Sequence, residues 1–258
     1  MRGARPHRTK DEVKELIDKL GLKAKKSLGQ HFLINKSPVF KMTCDLSRED
    51  RVLEVGPGLG ILTEELLRKA GEVVAVEIDD ELAYFLKERF GGRLRLIKGD
   101  ILEMKPEDIF GDKKYKVISN LPFNIASPFI RKFLSGSKRP SMMRVMVQRE
   151  VAKNIKNGTY MGNFVRVFGE PRIIDYVPPY YFFPRPKVYS AILEIKVFDE
   201  PIIKDEGFFE FLRTGFSHPR KKLKNNLKGI KARGEILEKR PGELSIWDWI
   251  EIYRESRK

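Results

Sequence analysis

At 258 residues, with 41% hydrophobic content, the chain is long enough for one substantial core plus a small appendage. No apolar run approaches membrane-spanning length and the basic N-terminus lacks the apolar segment of a secretion signal, so the sequence reads as cytoplasmic with no membrane partner. Cys44 is the single cysteine, which excludes an intrachain disulfide framework, and His7, His31 and His218 are too scattered for metal ligation, so no metal is expected.

The net charge is +15, and its placement is informative. Residues 1–27 carry nine Lys/Arg against four Asp/Glu, and residues 218–240 carry nine against two. Charge-rich surfaces also mark proteins from hot environments, but there the signs are interspersed. Two lopsided segments fit a nucleic-acid backbone footprint better.

In chain order, residues 1–10 read as disordered or touching nucleic acid. Asp11–Leu20 has Val13, Leu16, Ile17 and Leu20 at helical spacing, with Gly21 as a stop. An α/β alternation starts near Asp50: strand 51–55, helix 61–70, strand 72–78, helix 81–90, strand 93–98 and strand 115–119. Helix 128–134 follows, then strand 142–147 running into a helix through Glu150. Ile173–Val177 and Tyr189–Val197 read as two strands joined without a helix, an antiparallel hairpin at the sheet edge. Beyond Glu200-Pro201 the pattern turns helical. The expected fold is therefore α/β, a Rossmann-like, mostly parallel sheet with an antiparallel edge hairpin and a small C-terminal helical domain. The expected division is a basic N-terminal extension and cofactor-covering segment (1–35), a catalytic domain (36–198) and a helical RNA-binding domain (199–258).

Two strand ends carry the chemistry. Strand 51–55 runs into Gly56-Pro57-Gly58-Leu59-Gly60, a turn that lets backbone and a helix N-terminus approach a ligand closely. Glu77, ending the next strand, stands where an acid takes ribose hydroxyls, and Asp100, ending the third, can accept from an adenine amino group. The fourth strand ends in Asn120-Leu121-Pro122-Phe123. An adenine amino nitrogen is a poor nucleophile because its lone pair is delocalised into the ring. The Asn120 side-chain oxygen and a neighbouring backbone carbonyl can accept both amino hydrogens and restore that lone pair. Pro122 holds the turn that aims those carbonyls, and Phe123 offers a stacking surface. Strand ends converge at one edge of such a sheet, so Gly56, Glu77, Asp100 and Asn120 are expected to line one crevice. Together they point to methyl transfer from S-adenosylmethionine to an exocyclic amino nitrogen.

The chain resembles the ribosomal small-subunit RNA adenine dimethyltransferases, as an archaeal or thermophile-like member. The resemblance rests on Ser27-Leu28-Gly29-Gln30-His31-Phe32-Leu33, Glu54 to Gly60, Val76-Glu77-Ile78-Asp79, Gly99-Asp100 and Asn120 to Ile125. It continues through Gln148 to Ala152, Pro184 to Val188, Arg220 to Leu227 and Arg240 to Ser245. It implies dimethylation at N6 of two adjacent adenosines in the 3′-terminal hairpin of small-subunit rRNA, on a pre-ribosomal 30S particle, by a monomer. It also implies that His31, Leu33, Gly56, Gly58, Glu77, Asp100 and Asn120 contact S-adenosylmethionine. Asn120, Leu121, Pro122 and Phe123 would hold the flipped adenine, and Arg220, Lys221, Lys222 and Lys224 would grip RNA backbone.

Three residues depart from the family pattern: His31 replaces a common Asn, Phe123 a common Tyr, and Tyr189 an acid that often follows Pro-Lys-Val. Competing readings are a large-subunit adenine methyltransferase, an RNA-binding assembly factor with secondary catalysis, and an NAD-dependent oxidoreductase. The last explains the glycine turn and Glu77 but neither the Asn-Leu-Pro-Phe turn nor the basic segments.

Overall fold

The computed structural model describes residues 10–19, 28–230 and 234–257. Of the segment 1–10 expected to be disordered or touching nucleic acid, residues 1–9 lie outside these, as does most of the basic N-terminal segment, while Lys10 opens a helix. The chain enters through α1 (Lys10–Lys19), β1 (Phe32–Leu33) and α2 (Ser37–Met42). The alternating series is β2 (Arg51–Val55), α3 (Ile61–Lys69), β3 (Glu72–Glu77), α4 (Asp80–Phe90), β4 (Arg95–Lys98), α5 (Pro106–Phe110), β5 (Lys116–Asn120), α6 (Ala126–Ser135) and β6 (Met142–Gln148). After α7 (Arg149–Lys156) and α8 (Tyr160–Phe168) come β7 (Gly169–Val177), β8 (Phe182–Phe183) and β9 (Ser190–Val197). The chain ends in α9 (Glu206–Gly215), α10 (Leu223–Asn226), α11 (Gly234–Leu237) and α12 (Ile246–Glu255).

Seven strands form one sheet in the order β4-β3-β2-β5-β6-β9-β7. The first five are parallel; β9 runs antiparallel to both β6 and β7. This is the expected Rossmann-like sheet with its antiparallel edge. Its central strands are apolar on both faces because helices cover both. Leu53, Val55, Val74, Val76, Val117 and Val145 face one layer with Phe129 and Phe133 of α6. Their alternates Val52, Val73, Ala75, Ile118 and Met146 face the other, with Leu62 and Leu66 of α3 and Leu86 of α4. That period of two sets the register, since a one-residue slip would exchange the two faces.

The C-terminal helices close on the first layer. Phe208, Leu212 and Trp249 are fully buried and belong to the same apolar cluster as the sheet. Phe209 of α9 stacks on Phe168 of α8 with ring centroids 5.7 Å apart and lies 5.3 Å from Phe164. Gly158, between α7 and α8, meets the turn before α12 so closely that a Cβ there would sit 2.2 Å from the Gly242 carbonyl oxygen.

Some elements differ from the sequence reading. Helix α8 was not expected, because Tyr160-Met161-Gly162-Asn163-Phe164-Val165 mixes aromatic, Gly and β-branched residues of low helical preference. It forms because Thr159 caps it, accepting from the Gly162 N–H, and because its apolar face is buried. α7 runs on to Lys156, and β7 begins at Gly169 rather than Ile173. Strands β1 and β8, two residues each, are too short to show a period in the sequence; they pair Phe32 with Phe183 and Leu33 with Phe182, tying the N-terminal segment to the β7–β9 connection. The Phe183–Pro184 peptide bond in that connection is cis. Among the described residues no helix is long and apolar enough to cross a membrane, and no cluster of metal-ligand type occurs.

Candidate active site

The site lies where strand order reverses, between β2 and β5. Their backbone pairing covers Val52 with Lys116 and Leu53 with Val117. Beyond it a side chain takes over: buried Ser119 donates to the Val55 carbonyl at 2.6 Å and accepts from the Val55 N–H at 3.3 Å. The strands then diverge into the glycine turn on one side and the Asn120–Phe123 turn on the other. This is the crevice that open parallel sheets use for ligands. A cavity of about 170 Å³ occupies it. Its wall includes His31, Leu33, Gly56, Gly58, Glu77, Asp100, Asn120, Leu121, Pro122 and Phe123, so all ten residues named from sequence for cofactor or acceptor come together.

The glycine turn is a backbone cradle. Gly56 and Gly60 adopt φ of 64° and 75°, where a side chain is strained. A Cβ on Gly56 would lie 3.0 Å from Pro122 Cγ, so this turn seats directly against the acceptor turn. A Cβ on Gly60 would lie 2.6 Å from the Phe90 ring. Two buried carboxyl groups form the floor. Glu77 accepts from the Asp79 N–H at 3.0 Å and the Gly58 N–H at 3.4 Å, and burial raises its pKa above the ordinary carboxylate value. Glu54 is 1% exposed, and its Oε2 has no hydrogen-bond partner. Burial pushes its pKa up to about 8, and the charge of Glu77 adds to this. The Thr63 hydroxyl nearby pulls the other way, but it lies outside hydrogen-bonding geometry. Asp100 accepts from the Leu102 N–H at 2.8 Å through Oδ1; Oδ2 has no protein partner among the described residues.

The Asn120–Phe123 turn presents two uncommitted oxygens to the crevice. Among the described residues the Asn120 side-chain amide makes no hydrogen bond to the protein, and no donor reaches the Leu121 carbonyl. The Leu121 N–H is held by the Met146 carbonyl at 3.1 Å, and the Ile125 N–H donates to the Pro122 carbonyl at 3.2 Å, which fixes the turn. Phe123 packs against His31 with ring centroids 5.3 Å apart. His31 Nδ1 lies 2.7 Å from the Pro184 carbonyl oxygen, so this ring is wedged between the β8 segment and the acceptor aromatic.

Sequence reasoning gave no role to Glu54, Ser119 or Gln30. Glu54 and Gln30 sit inside stretches that carried the resemblance, and a hydroxyl directly before Asn120 was the signal for Ser119. Gln30 donates to Asp79 at 3.0 Å, joining the N-terminal segment to the end of β3. Val13 and Ile17 of α1 bury against Leu59 of the glycine turn and Leu82 of α4. The predicted RNA-binding residues lie elsewhere, Arg220, Lys221 and Lys222 between α9 and α10 and Lys224 within α10. Arg220, Lys221, Lys222 and Lys224 are exposed, but Lys222 and Lys224 share Glu238 at 2.8 and 2.7 Å. Leu223, Asn226 and Leu227 of the same stretch are buried, and Asn226 donates to the Gly215 carbonyl at 2.6 Å.

The sequence profile described as "Ribosomal RNA adenine dimethylase" matches residues 21–242. The chain belongs to this family. A curated relative from Dehalococcoides mccartyi (strain CBDB1), "Ribosomal RNA small subunit methyltransferase A", is 46% identical over 229 residues, covering 84% of this chain and 78% of that protein. One of the same description from Clostridium perfringens is 35% identical over 249 residues, covering 91% and 87%. Among solved structures, a dimethyladenosine transferase from Plasmodium falciparum superposes with a TM-score of 0.74 at 23% identity, over 87% of this chain and 97% of that one. The 23S rRNA methyltransferase ErmE superposes with 0.73 at 22% identity, over 88% and 100%. At such identities these two show the shared fold.

Proposed function

We propose that this protein transfers methyl groups from S-adenosylmethionine to N6 of two adjacent adenosines in the 3′-terminal hairpin of small-subunit rRNA. The observation that carries the reading is the pairing of two uncommitted acceptors, the Asn120 amide and the Leu121 carbonyl, with a backbone cradle seated on Pro122 in one cleft. An exocyclic amino group has two hydrogens to place, and this turn offers two oxygens.

The residues fit S-adenosylmethionine. The glycine turn leaves room where a side chain would collide, and the cavity wall holds an orphaned buried oxygen, Glu54 Oε2. Gly56, Gly58, Glu77 and Asp100 would hold the cofactor, with His31, Leu33 and Asn120 completing its surroundings. When bound, it supplies an electrophilic methyl group on a sulfonium. Asn120 and Leu121 then orient the amino nitrogen for in-line attack, a contribution of position rather than of acid–base chemistry. Phe123 stacks on the extruded base, an interaction typically worth about 1–3 kcal/mol. The exposed cations near α10 add RNA affinity and salt dependence.

The test incubates the protein with methyl-labelled S-adenosylmethionine and small ribosomal subunits lacking the hairpin methylation, then maps the label. Dimethyladenosine at the paired hairpin positions is expected. Label on large-subunit RNA instead, or tight particle binding with no transfer at all, would refute the proposal.

A further inference from the structure

Resting on that reading, we propose that Tyr189 and Arg149 form a second stacking platform, outside the acceptor pocket, that holds a base adjacent to the extruded adenosine. The register places the pair on the catalytic edge of the sheet. Asn120 at the end of β5 is opposite Met146; Gln148 at the end of β6 is opposite Ser190 at the start of β9. One residue further, the Arg149 N–H donates to the Tyr189 carbonyl at 2.9 Å. Asn120 is level with Met146 and Ile192, and Tyr189 lies three residues beyond Ile192. Two inter-strand spacings and three residues of strand therefore place it roughly 14 Å from the Asn120 backbone. An extended RNA strand leaving the extruded adenosine covers that distance within its next nucleotides.

The chemistry suits a base. Tyr189 is 45% exposed, among the exposed large hydrophobic side chains of the described residues. The Arg149 guanidinium sits 5.5 Å from the ring centroid, in cation–π range. A ring with a guanidinium over one face offers its other face and a positive charge together, as sequence-tolerant single-strand binders do. Arg185 and Lys187 are exposed on the same connection, and Glu150, next to Arg149 in α7, is an exposed acid. Among the described residues Arg149, Arg185 and Lys187 form no ion pair, whereas Lys222 and Lys224 are tied to Glu238. An acid at position 189 would neutralise Arg149 and repel phosphate. Tyrosine keeps the charge available and adds the stacking face.

The experiment compares full-length wild type with Tyr189→Phe, Tyr189→Leu and Tyr189→Asp. Three quantities are read: affinity for a short RNA hairpin with two adjacent unpaired adenosines, KM and kcat on undermethylated small subunits, and thermal midpoint. Tyr189→Phe should match wild type. Tyr189→Leu should weaken RNA affinity and raise KM about 5- to 150-fold, the range expected of one stacked base, with kcat and thermal midpoint unchanged. Tyr189→Asp should be weaker still. RNA affinity within twofold of wild type in Tyr189→Leu would overturn the platform, as would a lowered thermal midpoint with intact affinity, which marks a purely structural contact. A wild type that binds the hairpin but transfers no methyl group would sink the proposed function, while the RNA affinities would still decide the platform.

Discussion

On the glycine-turn side of the β2–β5 crevice the wall is mostly backbone and buried carboxyl groups: left-handed glycines, the Gly58 N–H held by Glu77, and Glu54 with an orphaned oxygen. On the Asn120–Phe123 side the wall is side chains, the Asn120 amide with no hydrogen bond among the described residues and the half-buried Phe123 ring against His31, with Tyr189 and Arg149 paired outside the pocket. The first kind of wall is preorganised and tolerates little substitution. The second should tolerate substitution structurally and lose function when changed. Stability and chemistry should therefore separate across the crevice.

The largest effect is expected at Asn120. Asn120→Ala removes one of two acceptors for the amino group, and single-turnover methyl transfer should fall about 100- to 1,000-fold, by analogy with loss of one preorganised transition-state contact. RNA affinity should stay within about twofold by gel shift; a comparable loss in affinity would merge the two roles.

Gly60→Ala attacks the other wall. It places a Cβ 2.6 Å from the Phe90 ring at a φ of 75°, so about 1–3 kcal/mol of stability should be lost in urea denaturation. An unchanged midpoint would show that the turn is less rigid than its contacts imply.

Glu54 gives the comparison a pH axis. Its folded pKa of about 8 lies above the ordinary 4.5, so the native state keeps a proton that the unfolded chain releases. Its contribution to stability is present below pH 4.5 and is lost as pH rises toward 8, by up to about 1.4 kcal/mol per pH unit. Glu54→Gln should flatten the stability–pH curve in this window, measured by denaturant titration at several pH values. An unchanged slope would mean that Glu54 is ionised in the native protein.

The smallest effect is expected at Glu238. Glu238→Gln releases Lys222 and Lys224 from their shared partner, so RNA binding should tighten slightly and its salt slope should steepen. A slope identical to wild type would remove those lysines from the RNA interface.

Much of this was legible in the sequence because the central strands are continuous apolar runs ended by glycine or Asn-Leu-Pro. Four strand ends then fall on one edge by topology alone. What stayed hidden depends on partners distant in sequence. Arg144 lies within an apolar strand yet is 3% exposed, because it bonds Glu194 opposite it on β9 and Asp45 beyond α2. The run from Arg220 to Lys224 reads as free cations, but Glu238 is brought to it only by the fold. α8 is set by burial against the C-terminal aromatics rather than by intrinsic preference. The departure at Tyr189 acquires a physical account only once Arg149 is found beside it.

The division across the crevice is tested most directly by measuring cofactor affinity and RNA KM side by side in Glu77→Gln and Phe123→Ala. The account predicts opposite signatures: Glu77→Gln loses S-adenosylmethionine affinity by calorimetry with RNA KM unchanged, and Phe123→Ala raises RNA KM with cofactor affinity unchanged. Both variants losing both properties in parallel would contradict it.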